Sequence, residues 1–98
     1  MIRFLIMILI FYLLTGVSWA GGRGTFIQNC GTCHKTGGKA LPVNPADKAA
    51  IVWEKYFKRH RHPVDLSSIN PGDMKIIIKY LKDHAADSDQ PEAAAIPK

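Results

Sequence analysis

The sequence has little cysteine, no long hydrophobic run and no stretch of regular polar–apolar alternation. Only two of its 98 residues are cysteine, so the chain can form at most one internal disulfide. Its longest apolar run, residues 4–14, is shorter than the ~18–20 residues that span a bilayer. The missing alternation argues against half-buried strands. These absences exclude a disulfide-rich scaffold and disfavour a β fold.

Residues 1–20 have the organisation of a secretory signal peptide. Arg3 gives a positive start, residues 4–14 form the apolar core, and Ser18 and Ala20 are the small residues that precede a cleavage site. An uncleaved anchor fits the short apolar run less well. We expect cleavage after Ala20, export to the periplasm, and no stable membrane span in the mature protein.

The mature chain of residues 21–98 is small and moderately basic. The full sequence has a net charge of +5, and removal of Arg3 leaves +4. A domain of this size usually needs a disulfide, a metal or a large cofactor to complete its core. Export also removes the chain from the reducing cytosol, where free thiols persist. The two cysteines are therefore the first place to look for such a group.

Helix signals predict an all-α fold with about three main helices. Asn44-Pro45 and Asn70-Pro71 each place a capping residue before proline at the first helical position. The predicted helices cover residues 25–34, 44–60 and 70–84. We expect residues 21–84 to form the domain, after a flexible start at 21–24, and residues 85–98 to form a polar flexible tail.

The chemistry is concentrated in Cys30-Gly31-Thr32-Cys33-His34. C-x-x-C-H is the attachment signature of c-type haem. Two thiols one helical turn apart reach the two vinyl groups of one porphyrin, and the following imidazole faces the iron. A thioredoxin-like redox pair would need a βαβ context. A zinc site with two histidines and a structural disulfide are the remaining alternatives.

On these residues the chain resembles a small monohaem cytochrome c. The resemblance covers about residues 24–84 and includes the pair Tyr80-Leu81 in the last helix. It implies a cytochrome c-like fold around one covalently attached haem c. It also implies thioethers at Cys30 and Cys33 and an axial iron bond from His34.

The second axial ligand is less obvious. Small cytochromes c commonly use a methionine before the last helix, but Met74 opens that helix's apolar stripe and pairs with Ile69 as a hydrophobic staple. His62, beside a proline, resembles the distal ligand of exported bis-histidine cytochromes. We therefore expect His62, with His60 next and Met74 last. We expect His84 to stabilise a helix end.

These features predict a periplasmic one-electron carrier of a respiratory chain rather than an enzyme. Histidine in place of methionine lowers the reduction potential, and two filled axial positions leave none for a substrate. The alternative is a haem protein that binds or senses a gas through a displaceable distal ligand. A basic cluster could dock acidic redox partners, or it could be a solvated helix face; nucleic acid is not expected. The cluster consists of Lys55, Lys58, Arg59 and Arg61.

Overall fold

The computed structural model describes residues 21–98. The predicted signal peptide at residues 1–20, with its expected cleavage site, lies outside the described residues. Three α-helices follow in order: α1 Gly21–Cys30, α2 Ala50–Lys58 and α3 Pro71–Asp83. A short 3-10 helix, Pro45–Asp47, precedes α2. Residues 21–98 contain no strand, only an isolated bridge between His34 and Ala40, and the expected all-α class agrees with this.

Helix α3 is the centre of the packing. Asn70 caps it, since its Oδ1 accepts from the Asp73 backbone N–H at 2.7 Å. Both α1 and α2 pack against α3 and, within residues 21–98, not against each other. The predicted apolar stripe of α3 faces them, with Ile77 and Leu81 each 1% exposed. The buried apolar core comprises Phe26, Trp53, Ile77, Tyr80, Leu81, Ala85, Ala95 and Ile96.

The first two helices differ from their predicted bounds. Helix α1 begins at Gly21 rather than at residue 25, because the glycine-rich start packs on α3: a Cβ on Gly22 would lie 3.2 Å from the Tyr80 Cβ. Helix α2 begins at Ala50 and ends at Lys58. His60 lies beyond the end of α2 and has a positive φ of 50°.

The expectation of a detached polar tail needs correction. Residues 85–98 contain no helix, yet Ala95 and Ile96 are buried in the core. The buried Asn44 side chain holds this segment: its Nδ2 donates to the Ile96 carbonyl at 3.0 Å, and its Oδ1 accepts from the Ile96 N–H at 2.8 Å. Asn44 therefore precedes the 3-10 helix, as its sequence position suggested. Its side chain, however, forms hydrogen bonds with Ile96, which is distant in the sequence.

None of the helices within residues 21–98 has both the length and the apolar character needed to cross a membrane.

Candidate functional site

The cysteine–histidine motif continues α1 by one turn. Cys30 is the last residue of that helix. The Gly31 N–H donates to the Ile27 carbonyl at 2.9 Å, and the His34 N–H donates to the Cys30 carbonyl at 2.9 Å. The i to i−4 pattern gives the motif a helical turn, so that Cys30 and His34 lie one turn apart. Cys33 is solvent-exposed.

A tight return loop fixes the motif from its C-terminal side. The Cys33 carbonyl accepts from the Ala40 N–H at 3.0 Å, and His34 pairs with Ala40 in the isolated bridge. Gly38 passes so close that a Cβ there would lie 2.5 Å from the Cys33 carbonyl oxygen. The backbone of Cys33 and His34 is thus held by both the helix and the loop.

The structure brings His62 beside His34. Their ring centroids are 6.1 Å apart, with an angle of 68° between the ring planes. Two imidazoles that bind one metal atom from opposite sides at about 2.0–2.1 Å each have centroids roughly 6 Å apart. The planes can rotate about that shared axis, so the angle is compatible with such a pair. The separation therefore fits two axial ligands of one iron.

Hydrogen bonds assign the same tautomer to both rings. His34 Nδ1 lies 2.8 Å from the Leu41 carbonyl oxygen, and His62 Nδ1 lies 2.9 Å from the Val64 carbonyl oxygen. A carbonyl only accepts, so each Nδ1 carries the proton and donates. Each Nε2 is left with a free lone pair. Metal-binding histidines commonly have this arrangement, which fixes the ring and raises its basicity.

His84 shows that the tautomer alone does not define a ligand. Its Nδ1 also meets a carbonyl, that of Gln90, at 2.8 Å. Its ring, however, packs on Tyr80 with centroids 4.9 Å apart, at the C-terminal end of α3. The approach to His34 is what distinguishes His62 from His84, whose position agrees with a role at the helix end.

The two other distal candidates lie in different settings. His60 is exposed. Among the aromatic pairs found in residues 21–98, His34 pairs with His62 and not with His60. Because α2 ends before His60, this ring does not continue the helix face that carries Trp53 and Phe57. Met74 is half-buried and packs with Ile69 against the core, the position anticipated for a hydrophobic staple.

The two cysteines are free thiols in unequal surroundings. Burial raises the pKa of Cys30 to about 11, and the neighbouring Cys33 adds to the rise. Reactive thiols of disulfide oxidoreductases have the opposite property, a lowered pKa. The surroundings of Cys30 therefore do not support a thioredoxin-like role.

Exposed apolar side chains accompany both histidines. The carbonyls of Leu41 and Val64 accept the hydrogen bonds from the two rings. Leu41 is 86% exposed and Val64 is 67% exposed. Single exposed apolar side chains are common on protein surfaces, so the relevant feature of these two is their position beside the histidines. A porphyrin presents a broad apolar face. The chain thus supplies apolar contact area at the same two segments that supply the histidines.

The aromatic residues of α2 belong mainly to the protein core. Trp53 is 3% exposed, and its Nε1 donates to the Pro45 carbonyl at 2.8 Å. Phe57 stacks on Trp53 at 6.3 Å and meets Tyr56 edge-on at 5.3 Å. Core packing accounts for Trp53. The half-buried Phe57 and Tyr56 lie one to two turns before the histidine segment.

The basic cluster is exposed and takes no part in the ion pairs found among residues 21–98. Three ion pairs occur among residues 21–98: Arg23 with Glu92, Lys79 with Asp83, and Lys82 with Glu54. None includes a member of the cluster. Arg61 directly precedes His62 and Arg59 lies three positions before it, so the positive charge is close to this histidine in the chain.

Sequence reasoning missed one polar cluster, which joins both ends of the described chain to α3. Glu92 accepts from the Tyr80 hydroxyl at 2.5 Å and from Arg23 Nε at 2.8 Å. Burial disfavours the charged carboxylate, but the two hydrogen bonds outweigh it and lower the pKa of Glu92. A sequence separation of 69 residues between Arg23 and Glu92 leaves no local pattern that would reveal the contact.

Residues 21–98 contain no group of three or more His, Cys, Asp or Glu side chains around a common metal position. A haem iron has four nitrogen ligands from its porphyrin and needs only two more from the protein, so a haem site does not require such a group. Comparison with known proteins finds no matching family model, curated protein or solved structure. The functional argument therefore depends on the motif and on the two histidines.

Proposed function

We propose that this chain is an exported one-electron carrier with one covalently attached c-type haem. The C-x-x-C-H motif motivates the haem, and the paired histidines motivate the carrier role. When bound, the haem supplies a reversible Fe(III)/Fe(II) couple. The proposal extends the observed helical architecture to a small cytochrome c-like fold wrapped around the cofactor.

Each site residue has a defined role in this proposal. The Cys30 and Cys33 sulfurs form thioethers with the vinyl groups. His34 binds the iron through Nε2 on the side of the motif, and His62 binds it through Nε2 from the opposite side. Leu41 and Val64 hold the two rings through their carbonyls and cover porphyrin surface with their side chains.

The single observation that carries the proposal is the meeting of His34 and His62. Their 6.1 Å separation is of the size expected for an axial pair, and donation from each Nδ1 leaves the Nε2 of the neutral ring available as a ligand, which supports the proposal. The two residues are far apart in sequence, and one of them belongs to the haem-attachment motif. Two filled axial positions favour electron transfer over substrate chemistry. Bis-histidine ligation also places the reduction potential below that of a His/Met cytochrome.

The first test is an optical spectrum of the protein matured with its export and haem-attachment machinery. We expect a sharp α-band in the reduced protein, a low-spin spectrum in both oxidation states, and no sulfur-to-iron charge-transfer band. A colourless protein would contradict the haem proposal. A sulfur-to-iron band would transfer the distal role to Met74.

Two variants then locate the distal ligand. We expect His62→Ala to become high-spin and to bind CO when reduced, because its iron loses an axial bond. His60→Ala is the matched control, two residues away in the same basic segment, and should keep the low-spin spectrum. The reverse pattern would assign the distal role to His60.

The basic cluster motivates a second part of the proposal, an acidic redox partner. A positive surface raises the encounter rate with anions and loses this effect as salt screens it. We expect ferricyanide to oxidise the reduced protein faster at low than at high ionic strength, and a cationic cobalt(III) complex to show the opposite trend. Arg59→Gln with Arg61→Gln should weaken both trends. If the electron-transfer rates do not change with ionic strength, the cluster is a solvated helix face and not a docking surface.

A further inference from the structure

The segment that carries His62 is attached to the protein differently from the segment that carries His34. Every hydrogen bond found for residues 60–69 joins partners within five positions in the sequence. The hydrogen bond that joins the start of this segment to α2 is long: the Arg61 nitrogen lies 3.4 Å from the Tyr56 carbonyl oxygen. By contrast, His34 continues α1 and is bridged to Ala40. One histidine is built into the fold, and the other lies on a loop that closes on itself.

Most residues of the loop are exposed, as are residues 35–39, which follow His34. Pro63, Val64, Ser67 and Ser68 are exposed, and only Leu66 and Ile69 accompany His62 in being half-buried. The loop also begins at His60, whose positive φ of 50° is uncommon outside glycine. Segments with few buried contacts and only local hydrogen bonds open at low free energy. The loop 60–69 therefore meets the physical criteria for a locally opening unit.

We propose that His62 is a displaceable ligand, and that opening of the loop 60–69 lets a small external anion bind the ferric iron. This inference rests on the proposed haem function. A loosely held loop gives its histidine a lower effective concentration at the iron, so an external ligand can compete. The bond from His62 Nε2 to iron breaks and a bond from the ligand forms. The iron stays ferric, and the released imidazole keeps its Nδ1 proton.

The charge beside the loop favours an anion over a neutral ligand. Lys58, Arg59 and Arg61 are exposed, and none takes part in the ion pairs found for residues 21–98. The acidic residue within the loop, Asp65, is already engaged by the Ser67 backbone and hydroxyl, both at 2.9 Å. The chain adjacent to the opened position therefore carries exposed positive charge that is not engaged in any ion pair found for residues 21–98.

The test uses azide and imidazole as anionic and neutral probes of the oxidised, haem-loaded protein. We expect both to bind saturably with a change in the Soret band. Asp65→Ala removes the bonds that close the loop and should raise the azide binding rate about three- to tenfold. Asp89→Ala, an equal charge change in the exposed C-terminal segment, is the matched control. Arg61→Gln should weaken azide about two- to threefold at low salt without weakening imidazole.

Hydrogen exchange gives a readout independent of added ligand. Amides of residues 60–69 should exchange faster than those of Cys33, His34 and Ala40, and faster still in Asp65→Ala. If the wild-type protein binds neither probe while His62→Ala binds both, or if the loop amides are as protected as the core, the inference is overturned. A protein that contains no haem would overturn the proposed function as well, and its spectrum distinguishes that case.

Discussion

At the scale of single residues, Glu92 joins the segment that follows α3 to both α3 and α1. One carboxylate oxygen accepts from Tyr80 and the other from Arg23. Burial raises the pKa of Tyr80, and the hydrogen bond to Glu92 adds to the rise. The hydroxyl therefore stays protonated and donates throughout the neutral range. A charged hydrogen bond of this kind commonly stabilises the folded state by about 1.5–3 kcal/mol.

Replacement of Tyr80 by phenylalanine tests this contact. We expect Tyr80→Phe to lower the free energy of unfolding by about 1–2 kcal/mol, because the buried ring remains while Glu92 loses a donor. Chemical denaturation provides the measurement. The matched control is Tyr56→Phe, which should change stability by less than about 0.5 kcal/mol. Equal effects of the two variants would contradict the role given to Glu92.

The same carboxylate predicts a pH dependence. The pKa of Glu92 is lower in the folded protein than in the unfolded chain, so its contribution is present above the unfolded value, about 4.3. That contribution disappears as the pH falls through the folded value. Thermal unfolding of wild type and Glu92→Gln between pH 7 and pH 3 should show a stability difference that shrinks toward low pH. A difference that stays constant would exclude Glu92 as the titrating group.

The helices differ in how far the sequence predicted them. The start of α3 was predicted closely because its signals are local: the Asn70 cap, the following proline and an apolar stripe of helical period. Helix α1 extends four residues earlier than predicted because its glycine-rich start is held by Tyr80 and Glu92, which are distant in sequence. The C-x-x-C-H motif at residues 30–34 is evident from the sequence alone. The pairing of His34 with His62 was expected from the resemblance, whereas the 6.1 Å separation of their rings comes from the fold.

A pair of glycine variants separates helix propensity from packing in α1. A Cβ at Gly24 meets nothing within 4 Å, whereas a Cβ at Gly22 would lie 3.2 Å from the Tyr80 Cβ. We expect Gly24→Ala to raise the free energy of unfolding by about 0.5–1 kcal/mol, since alanine loses less entropy in a helix. Gly22→Ala should give a smaller gain or a loss. Denaturant titration of both variants measures the difference, and equal gains would contradict the close packing.

At the scale of the whole molecule, residues 85–98 complete the core. Ala85, Ala95 and Ile96 are buried, and the Asp87 carboxylate accepts from the Ala50 N–H at the start of α2. The composition of this segment suggested a frayed tail because Ala, Asp, Ser and Pro resemble a solvated chain. Its burial depends on Asn44, 52 positions from Ile96. Composition does not reveal such a pairing.

Asn44→Ala tests that arrangement. The variant leaves the Ile96 N–H and carbonyl without their partners, so we expect a loss of about 2–4 kcal/mol. Amides of residues 92–98 should lose protection at the same time. Asn29→Ala, which removes a single half-buried bond to the Thr25 carbonyl, is the control and should cost about 1 kcal/mol or less. Unchanged exchange in residues 92–98 would show that Asn44 does not hold the segment.

The 69-residue separation between Arg23 and Glu92 also sets an order of events for a chain that emerges from its N-terminal side. Contacts between distant residues form late, after the intervening chain is available. Helix α1 therefore waits for α3 and for Glu92 before it can dock. Until then Cys30 and Cys33 lie on an open chain, where both sulfurs would be accessible to the proposed haem attachment.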